Sequence, residues 1–151
     1  MPARSGIGTT VAFGTSTTYT PEVKSIQGLG LEREVFDATH MGSPVSATYP
    51  GLIMREYSPG DLGKPNQLTL GIHFDPDECD VIPIDQEAEQ ITITWKKVKV
   101  GGTLQTTAAN MVFDGFVVSW SAGDMNFEGL MEGTVVIQPA GDIVITIGTV
   151  V

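Results

Sequence analysis

Strict alternation of apolar and polar residues is the feature that most limits how this chain can fold. The segment QLTLGIHF, Gln67–Phe74, carries Leu, Leu, Ile and Phe at every second position. The segment ITITWKKV, Ile91–Val98, repeats the pattern with Ile, Ile and Trp. A period of two is typical of a β-strand with one face in a core and the other in water. Both segments therefore predict strands of a sheet with one buried face.

Other parts of the chain share a strand-like composition, rich in Thr, Val, Ile and aromatic residues and bounded by turn residues. The Gly-Gly pair at 101–102 predicts a tight turn between two short strands. Further strand candidates are Thr9–Phe13, Glu22–Gln27, Leu31–Asp37, Met111–Trp120, Asn126–Val136 and Ile143–Ile147. The chain of 151 residues is therefore expected to form a single mainly β domain, residues 1–151, built as a β-sandwich or barrel.

The only helix candidate is short. Pro83–Gln90 opens on a proline and carries early acids, which suit a helix N-terminus. It lacks the apolar stripe of a long amphipathic helix. We therefore expect one short helix on the flank of the sheet.

Two segments do not fit a compact sandwich. Residues 40–66 contain four prolines and four glycines and predict a long protruding loop. The loop nevertheless carries apolar side chains, which we expect to contact a partner surface; the alternative is a hairpin folded back on the core. The N-terminal arm, residues 1–8, is expected to fray unless a neighbouring subunit orders it. The five expected contact residues of the loop are Tyr49, Leu52, Ile53, Met54 and Tyr57.

Charge and cysteine content exclude several classes of function. The chain has 18 acidic and 8 basic residues, and from Asp75 to Glu89 it carries acids and no base. Such a chain is not expected to bind nucleic acid tightly, because tight binding requires Lys and Arg side chains that neutralise the phosphates. The single cysteine, Cys79, cannot form an internal disulfide. Neither a signal peptide nor an apolar run long enough to span a bilayer is evident, so a soluble protein made in the cytoplasm is expected.

Enzymatic and metal-binding functions find little support in the sequence. His40 and His73 are expected to be ordinary turn or surface histidines, and no nucleophile or phosphate-loop signature surrounds them. The run DPDECD could offer carboxylates to Ca²⁺, although it lacks the EF-hand spacing. This leaves an alternative function, a monomeric calcium-dependent β-sandwich module of the carbohydrate-binding or Ig-like type, with Trp95 and Trp120 at a sugar site. The weak candidate metal ligands are Asp75, Asp77, Glu78 and Asp80.

Five stretches between residues 7 and 120 resemble, in order, the major tail tube proteins of long-tailed bacteriophages and phage-like gene transfer agents. They are IGTTVAFGTS, GLGLEREVFDATHM, YPGLIMREY, LTLGIHFDPD and FDGFVVSW. The chain departs from the family pattern between Asp80 and Ile91, where a fuller helix is expected. It matches only loosely from about Met125 to Val151.

This resemblance implies a structural virion protein and no enzymatic activity or cofactor. Hexameric rings would stack into a tail tube through which DNA leaves the particle, with the long loop between rings. Partners would be further copies of the chain, a tape measure protein in the lumen, and tail terminator and distal tail proteins. The tail would be of the flexible, non-contracting type, assembled in the host cytoplasm. An acidic lumen would repel DNA over a Debye length of about 8–10 Å, and its candidate residues are Glu32, Glu34, Asp75 and Asp77.

Overall fold

The structure, a computed structural model, describes residues 6–123 and 129–150. Residues 1–5 of the predicted arm and the start of the predicted strand Asn126–Val136 lie outside the described residues. The chain divides into two compact units. The sheet unit comprises Met1–Leu29 and Pro65–Val151, and the hairpin unit comprises Gly30–Lys64.

The described residues form ten strands and one 3₁₀ helix. The sheet unit holds a six-stranded antiparallel sheet in the order β1-β6-β9-β10-β5-β2 and a small hairpin of β7 and β8. The hairpin unit holds the pair β3-β4. The strands are β1 Thr10–Phe13, β2 Val23–Gln27, β3 Leu31–Asp37, β4 Tyr57–Pro65, β5 Leu68–His73, β6 Glu89–Thr94, β7 Lys99–Val100, β8 Thr103–Leu104, β9 Asn110–Ala122 and β10 Glu132–Thr146; the 3₁₀ helix is Pro76–Val81.

The alternating segments form the centre of the sheet unit, as predicted. Leu68, Leu70 and Ile72 of β5 are buried while the residues between them are only half-buried. On β6, Ile91 and Ile93 are likewise fully enclosed. One face of the sheet therefore carries the core, which consists of Val11, Phe13, Tyr19, Leu68, Leu70, Ile72, Ile82, Ile91, Ile93, Phe113, Val117, Val135 and Ile137.

The predicted helix at Pro83–Gln90 is wrong. The helical turn lies earlier, at Pro76–Val81, because Asp75 caps it by accepting a hydrogen bond from the Asp77 backbone nitrogen and a proline occupies the first turn. Glu89 already belongs to β6, where its buried carboxylate accepts hydrogen bonds from the backbone and hydroxyl of Ser16. Pairing with β9 and the Ser16 contacts therefore replace the expected helix.

Two further boundaries differ from the sequence prediction. The separate candidates ending at Val136 and beginning at Ile143 are one strand, β10, with bulges after Val136 and Pro139. Bulges bend a strand without ending it, which the sequence pattern does not reveal.

The predicted Gly-Gly turn is confirmed, since Gly101 and Gly102 have φ values of 60° and 83°, as a two-residue hairpin turn requires.

The hairpin unit shows that the predicted loop ends earlier than residue 66, because Tyr57–Pro65 forms β4. Gly63 lies beside Leu31, Gly60 lies beside Glu34, and the Ala38 nitrogen donates to the Glu56 carbonyl at 2.8 Å. The two strands are therefore antiparallel. None of the unit's apolar side chains belongs to the core cluster of the sheet unit.

Among the residues the structure describes, none forms a helix that is long and apolar enough to cross a membrane.

Candidate functional site

The five side chains predicted to contact a partner all lie exposed on the hairpin unit. Each of these five residues has a relative solvent-accessible area between 51% and 65%. Burial of large apolar side chains is the main favourable term in association, so this surface is suited to binding another protein. The five residues are Tyr49, Leu52, Ile53, Met54 and Tyr57.

Hydrogen bonds fix the shape of the hairpin tip, the segment 38–56 between β3 and β4. Val45 and Ile53 form an antiparallel bridge, and the Ser46 nitrogen donates to the Leu52 carbonyl at 2.9 Å. The Tyr49 nitrogen donates to the Ser46 hydroxyl at 3.0 Å, and the Leu52 nitrogen donates back to the Tyr49 carbonyl at 3.0 Å. The tip therefore presents its apolar side chains from an ordered turn, which lowers the entropy cost of binding.

A polar cluster supports the base of the tip. Ser43 is buried, and its hydroxyl donates to the Glu56 carboxylate at 3.0 Å and accepts from the His40 nitrogen at 2.9 Å. The His40 ring lies 3.3 Å from the same carboxylate. His40 is thus an exposed turn histidine with a structural role. Sequence reasoning missed Ser43, although its place before Pro44 is typical of a turn.

An ion pair between Arg55 and Asp37 also contributes to this polar cluster. The Arg55 guanidinium donates to the Asp37 carboxylate at 2.7 Å. Hydrogen bonds from Thr39, followed by the charge and hydrogen bond of Arg55, lower the pKa of Asp37. The carboxylate is therefore held ionised where β3 ends and the tip begins.

The strands of the hairpin unit expose further large apolar side chains that sequence reasoning did not assign to the interface. The sequence does indicate this exposure. Val35 and Phe36 are adjacent, so their side chains point to opposite faces of the strand and no single buried face can cover both. At least 53% of each residue is exposed. These residues are Leu31, Val35, Phe36 and Leu62.

The four predicted lumen acids belong to different units. Glu32 and Glu34 lie on β3, and Glu34 is half-buried because it lies over Gly60, where an added Cβ would approach the Glu34 Cβ to 2.8 Å. Asp75 and Asp77 lie exposed at the start of the 3₁₀ helix in the sheet unit. Within residues 6–123 and 129–150, no three His, Cys, Asp or Glu side chains come together in a way that could hold a metal ion.

The two tryptophans have packing roles. Trp95 packs against the core cluster. Trp120 stacks on Phe74, with ring centroids 6.0 Å apart and an interplanar angle of 17°. The packing of these two rings gives no support to the alternative sugar site.

The sheet unit contains a cavity of about 400 Å³ beside the end of β5 and the 3₁₀ helix. Tyr19 in its wall is 4% exposed, and its hydroxyl has no hydrogen-bond partner among the described residues. Burial, and then the charge of Glu78, raise the pKa of Tyr19 to about 12. The Nδ1 atom of His73 is also buried without a partner, so His73 differs from the surface histidine expected from the sequence.

No protein-family model and no curated protein sequence matches the chain. Several solved structures share its fold. A chain of the anti-feeding prophage baseplate has a TM-score of 0.64 at 13% identity, covering 97% of both chains. A chain of the virion of a native gene transfer agent particle has a TM-score of 0.61 at 13% identity, covering 95% of this chain and 99% of that one.

A third similar chain comes from the sheath–tube complex of an extracellular contractile injection system. Its TM-score is 0.60 at 14% identity, and the match covers 97% of this chain and 92% of the other. The chain therefore has the tail-tube fold that its sequence motifs led us to expect, over nearly its full length.

Proposed function

We propose that this protein is the repeating subunit of a phage-like tail tube. The observation that carries the proposal is the hairpin unit, whose large apolar side chains lie outside the core and exposed in the single chain. A two-stranded hairpin is marginally stable by itself in water. Contact with a further copy of the chain would cover these side chains and stabilise the unit, and the shared fold indicates the kind of assembly.

The edges of the six-stranded sheet support assembly into rings. β1 and β2 are its outermost strands, and within residues 6–123 and 129–150 each has only one strand neighbour. An unpaired strand edge is a template for pairing with another chain. Repeated edge contacts between identical subunits generate closed rings when the rotation between them closes. Rings of six, as the motif resemblance implies, would leave a central channel, and the hairpin tips would reach the adjacent ring.

The channel is proposed to carry DNA out of the particle. Glu32 and Glu34, and then Asp75 and Asp77, are the acids proposed to face the lumen, where they would repel the phosphate backbone and let the DNA slide. A tape measure protein would fill the lumen before ejection, and tail terminator and distal tail proteins would bind the tube ends. The subunit would act in the virion tail after assembly in the host cytoplasm, without enzymatic activity. The tail would be of the non-contracting type.

Electron microscopy of the purified full-length protein tests this proposal. We expect rings or tubes with a hollow axis for the wild type. The double variant Tyr49→Ala and Leu52→Ala should remain folded but lose the tubes, because truncation of an interface anchor typically costs about 2 kcal/mol or more. Thr48→Ala, in the same tip but without a large apolar side chain, is the matched control and should form tubes.

The same experiment can contradict each part of the proposal. A wild-type protein that stays monomeric at high concentration would remove the tube function. Full-length tubes from the double variant would show that the tip is not the inter-ring contact. A density map of the tube with Glu32 and Glu34 on its outer surface would overturn their assignment to the lumen.

A further inference from the structure

The six-stranded sheet has a stepped outline, because its two long central strands have their outer neighbours at different levels. On one side, β6 pairs with β9 only over residues 110–115. On the other side, β5 pairs with β10 only over residues 132–137, at the level of residues 117–122 of β9. The lower half of the sheet, at the level of residues 110–115, therefore has the order β1-β6-β9-β10, and the upper half has the order β9-β10-β5-β2.

This step creates two free strand edges in addition to those of β1 and β2. Within the described part of the chain, residues 116–122 of β9 pair only with β10, and residues 138–146 of β10 pair only with β9. No backbone hydrogen bond outside the strand ladders involves either segment in residues 6–123 and 129–150. Each edge therefore offers backbone donors and acceptors to a further strand.

Both free edges also carry apolar side chains that a single copy leaves uncovered. Ile145 points to the core side of the sheet, since its ladder partner Met111 packs against the core, yet Ile145 is 66% exposed. Trp120 pairs with the fully buried Val135 and is still 36% exposed. Exposed apolar side chains on the core side of a sheet indicate that a neighbouring strand is missing.

The stepped outline is complementary to itself. At one margin, β6 and β1 project beyond the free edge of β9, and at the other margin β5 and β2 project beyond the free edge of β10. Each projection is two strands wide and each step is two strands deep. When two copies lie side by side in the same orientation, β2 of one copy fills the step beside β9 of the other. The same movement brings β1 of the other copy beside β10 of the first.

The strand directions agree at both of these joints. Every neighbouring pair within the sheet is antiparallel. The first and last of four alternating strands run in opposite directions, so β2 is antiparallel to β9 and β1 is antiparallel to β10. Two copies in the same orientation would therefore continue the antiparallel ladder that the rest of the sheet has.

The core-side residues at the two joints match. The ladder pairs across β6 and β9 place Val11 at the level of Ile145. Those across β5 and β10 place Ile26 at the level of Trp120. At each joint an apolar side chain of the incoming strand would lie beside an apolar side chain of the free edge, and such cross-strand pairs stabilise sheets.

The residues on the opposite face of the sheet match as well. Ala12 lies at the level of Val144, and Ser25 lies at the level of Ser121. Small or aliphatic residues would meet at the joint of β1 and β10, and two hydroxyl groups would meet at the joint of β2 and β9. The agreement on both faces selects these strands as partners.

Strand lengths favour this arrangement over a twofold one. A twofold contact would pair β2 with β10 and leave the edges of β1 and β9 open. β1 has four residues, as many as the segment 143–146 that resumes pairing with β9 after the bulge. β2 has five residues and fits the longer edge 116–122 of β9.

We infer that β2 of one copy pairs with residues 116–122 of β9 in a second copy, and that β1 of the second copy pairs with residues 143–146 of β10 in the first. The contact is head-to-tail, and such contacts generate rings when the rotation closes. Each copy contributes four strands at either level, and a closed ring leaves no sheet edge open. This inference rests on the proposed tube function and deepens it by naming the strands that join the subunits.

Disulfide trapping in assembled full-length protein tests the joint of β2 and β9. Ser25→Cys combined with Ser121→Cys, with Cys79→Ser to remove the native thiol, places two exposed thiols across the joint. Facing Cβ atoms of paired strands are about 4.5–5.5 Å apart, close enough for a disulfide. Within one copy the two positions are three strand spacings apart, roughly 14 Å across the sheet. Non-reducing electrophoresis should show a ladder of covalent multimers, whereas each single variant should give dimers at most.

A second cysteine pair tests the joint of β1 and β10, and a mismatched pair is the control. Ala12→Cys with Val144→Cys should give the same ladder, since both residues are exposed and lie at one level. Ser25→Cys with Val144→Cys combines residues of different joints and should stay unlinked. Efficient linkage of this mismatched pair would show a twofold arrangement and overturn the inference.

The critical concentration for assembly, measured by sedimentation, gives an independent readout. Ile145→Asp should raise it about tenfold or more, because a charge would be buried in the joint, while the exposure of Ile145 keeps the monomer folded. Leu104→Asp replaces a similarly exposed residue of β8, outside both joints, and should have a much smaller effect.

These measurements separate the contact from the tube function. Wild-type tubes whose matched cysteine pairs do not link, or an Ile145→Asp protein that assembles at the wild-type concentration, would overturn the strand pairing and leave the tube function intact. A wild type that never assembles would remove both.

Discussion

The two units of the chain differ in whether their large apolar side chains are buried or exposed. Among the described residues of the sheet unit, six large side chains are fully buried, two each on β5, β6 and β10. In the hairpin unit, every large apolar side chain is more than half exposed. The buried side chain of this unit is polar and belongs to Ser43. The fully buried residues of the sheet unit are Leu68, Leu70, Ile91, Ile93, Val135 and Ile137.

Because of this difference, we expect the sheet unit to determine the stability of the single chain and the hairpin unit to determine assembly. The buried core of the sheet unit favours folding of the single chain, because its apolar side chains are removed from water. The hairpin unit is held by backbone ladders and by the polar cluster of Asp37, Ser43, Arg55 and Glu56 at the base of its tip. Its apolar surface remains available for a partner. Substitutions in the two units should therefore affect different measurements.

The largest expected contrast comes from the same substitution made in each unit. Ile93→Ala removes a fully buried side chain and should lower the free energy of unfolding by about 2–5 kcal/mol. Ile53→Ala removes a side chain that is 63% exposed and should change it by less than about 0.5 kcal/mol. Urea unfolding of the monomer, followed by fluorescence, measures both.

Assembly sharpens this first contrast. Ile53→Ala should impair tube formation at a protein concentration where its monomer is as stable as the wild type. Equal losses of unfolding free energy in the two variants would show that Ile53 is buried in the free chain, and the separation of folding from assembly would fail.

A smaller contrast concerns two glycines. Gly28 in the sheet unit has φ +80°, and an added Cβ would collide with the Gln67 carbonyl oxygen, so Gly28→Ala should destabilise by about 1–3 kcal/mol. Gly51 in the hairpin tip has no positive φ and open space around it. Gly51→Ala should therefore be neutral or stabilise by up to about 1 kcal/mol through the unfolded state.

Thermal unfolding of the two alanine variants beside the wild type measures this contrast. A tolerated Gly28→Ala would mean that the turn after β2 adapts, and a destabilising Gly51→Ala would mean that the tip is packed more tightly than its exposure indicates.

The smallest expected contrast is in the response to acid and salt. Folding lowers the pKa of Asp37 in the hairpin unit, chiefly through Thr39, and of Glu132 in the sheet unit, through Lys24. A lowered folded-state pKa gives stability that is present above the unfolded pKa, near 4, and is lost as pH falls through the folded value. Both Asp37→Asn and Glu132→Gln should therefore flatten the acid side of the stability curve.

Salt distinguishes the two carboxylates. The partner of Glu132 is an exposed lysine, whose attraction is screened by salt, whereas the main hydrogen bonds of Asp37 come from a neutral threonine. NMR titration in low and high salt should move the pKa of Glu132 toward its ordinary value more than that of Asp37. An equal response would assign the Asp37 shift to Arg55 instead.

Much of the sheet unit could be predicted from the sequence because its signals are local. Alternation along β5 and β6 identifies buried faces, and the pair Gly101–Gly102 identifies a turn with positive φ at both positions. The helix at Pro83–Gln90 was predicted wrongly because a proline and early acids are compatible with a helix start, while pairing of β6 with β9 is a long-range contact that no local pattern reports.

The candidate site could be predicted only in part. The apolar residues of the tip were recognised because they stand out in a loop rich in glycine and proline. The pairing of β4 with β3, the buried Ser43 and the cavity between Tyr19 and His73 join residues that are distant in sequence.

The sequence by itself determined that the chain is mainly β, acidic and built around a one-sided sheet, because side-chain alternation and composition act residue by residue. Only the tertiary structure decided which strands are neighbours, where the polypeptide divides into two units, and which polar atoms are buried without partners. Those outcomes depend on which distant segments share the limited interior, and that competition for space is settled by packing the whole chain.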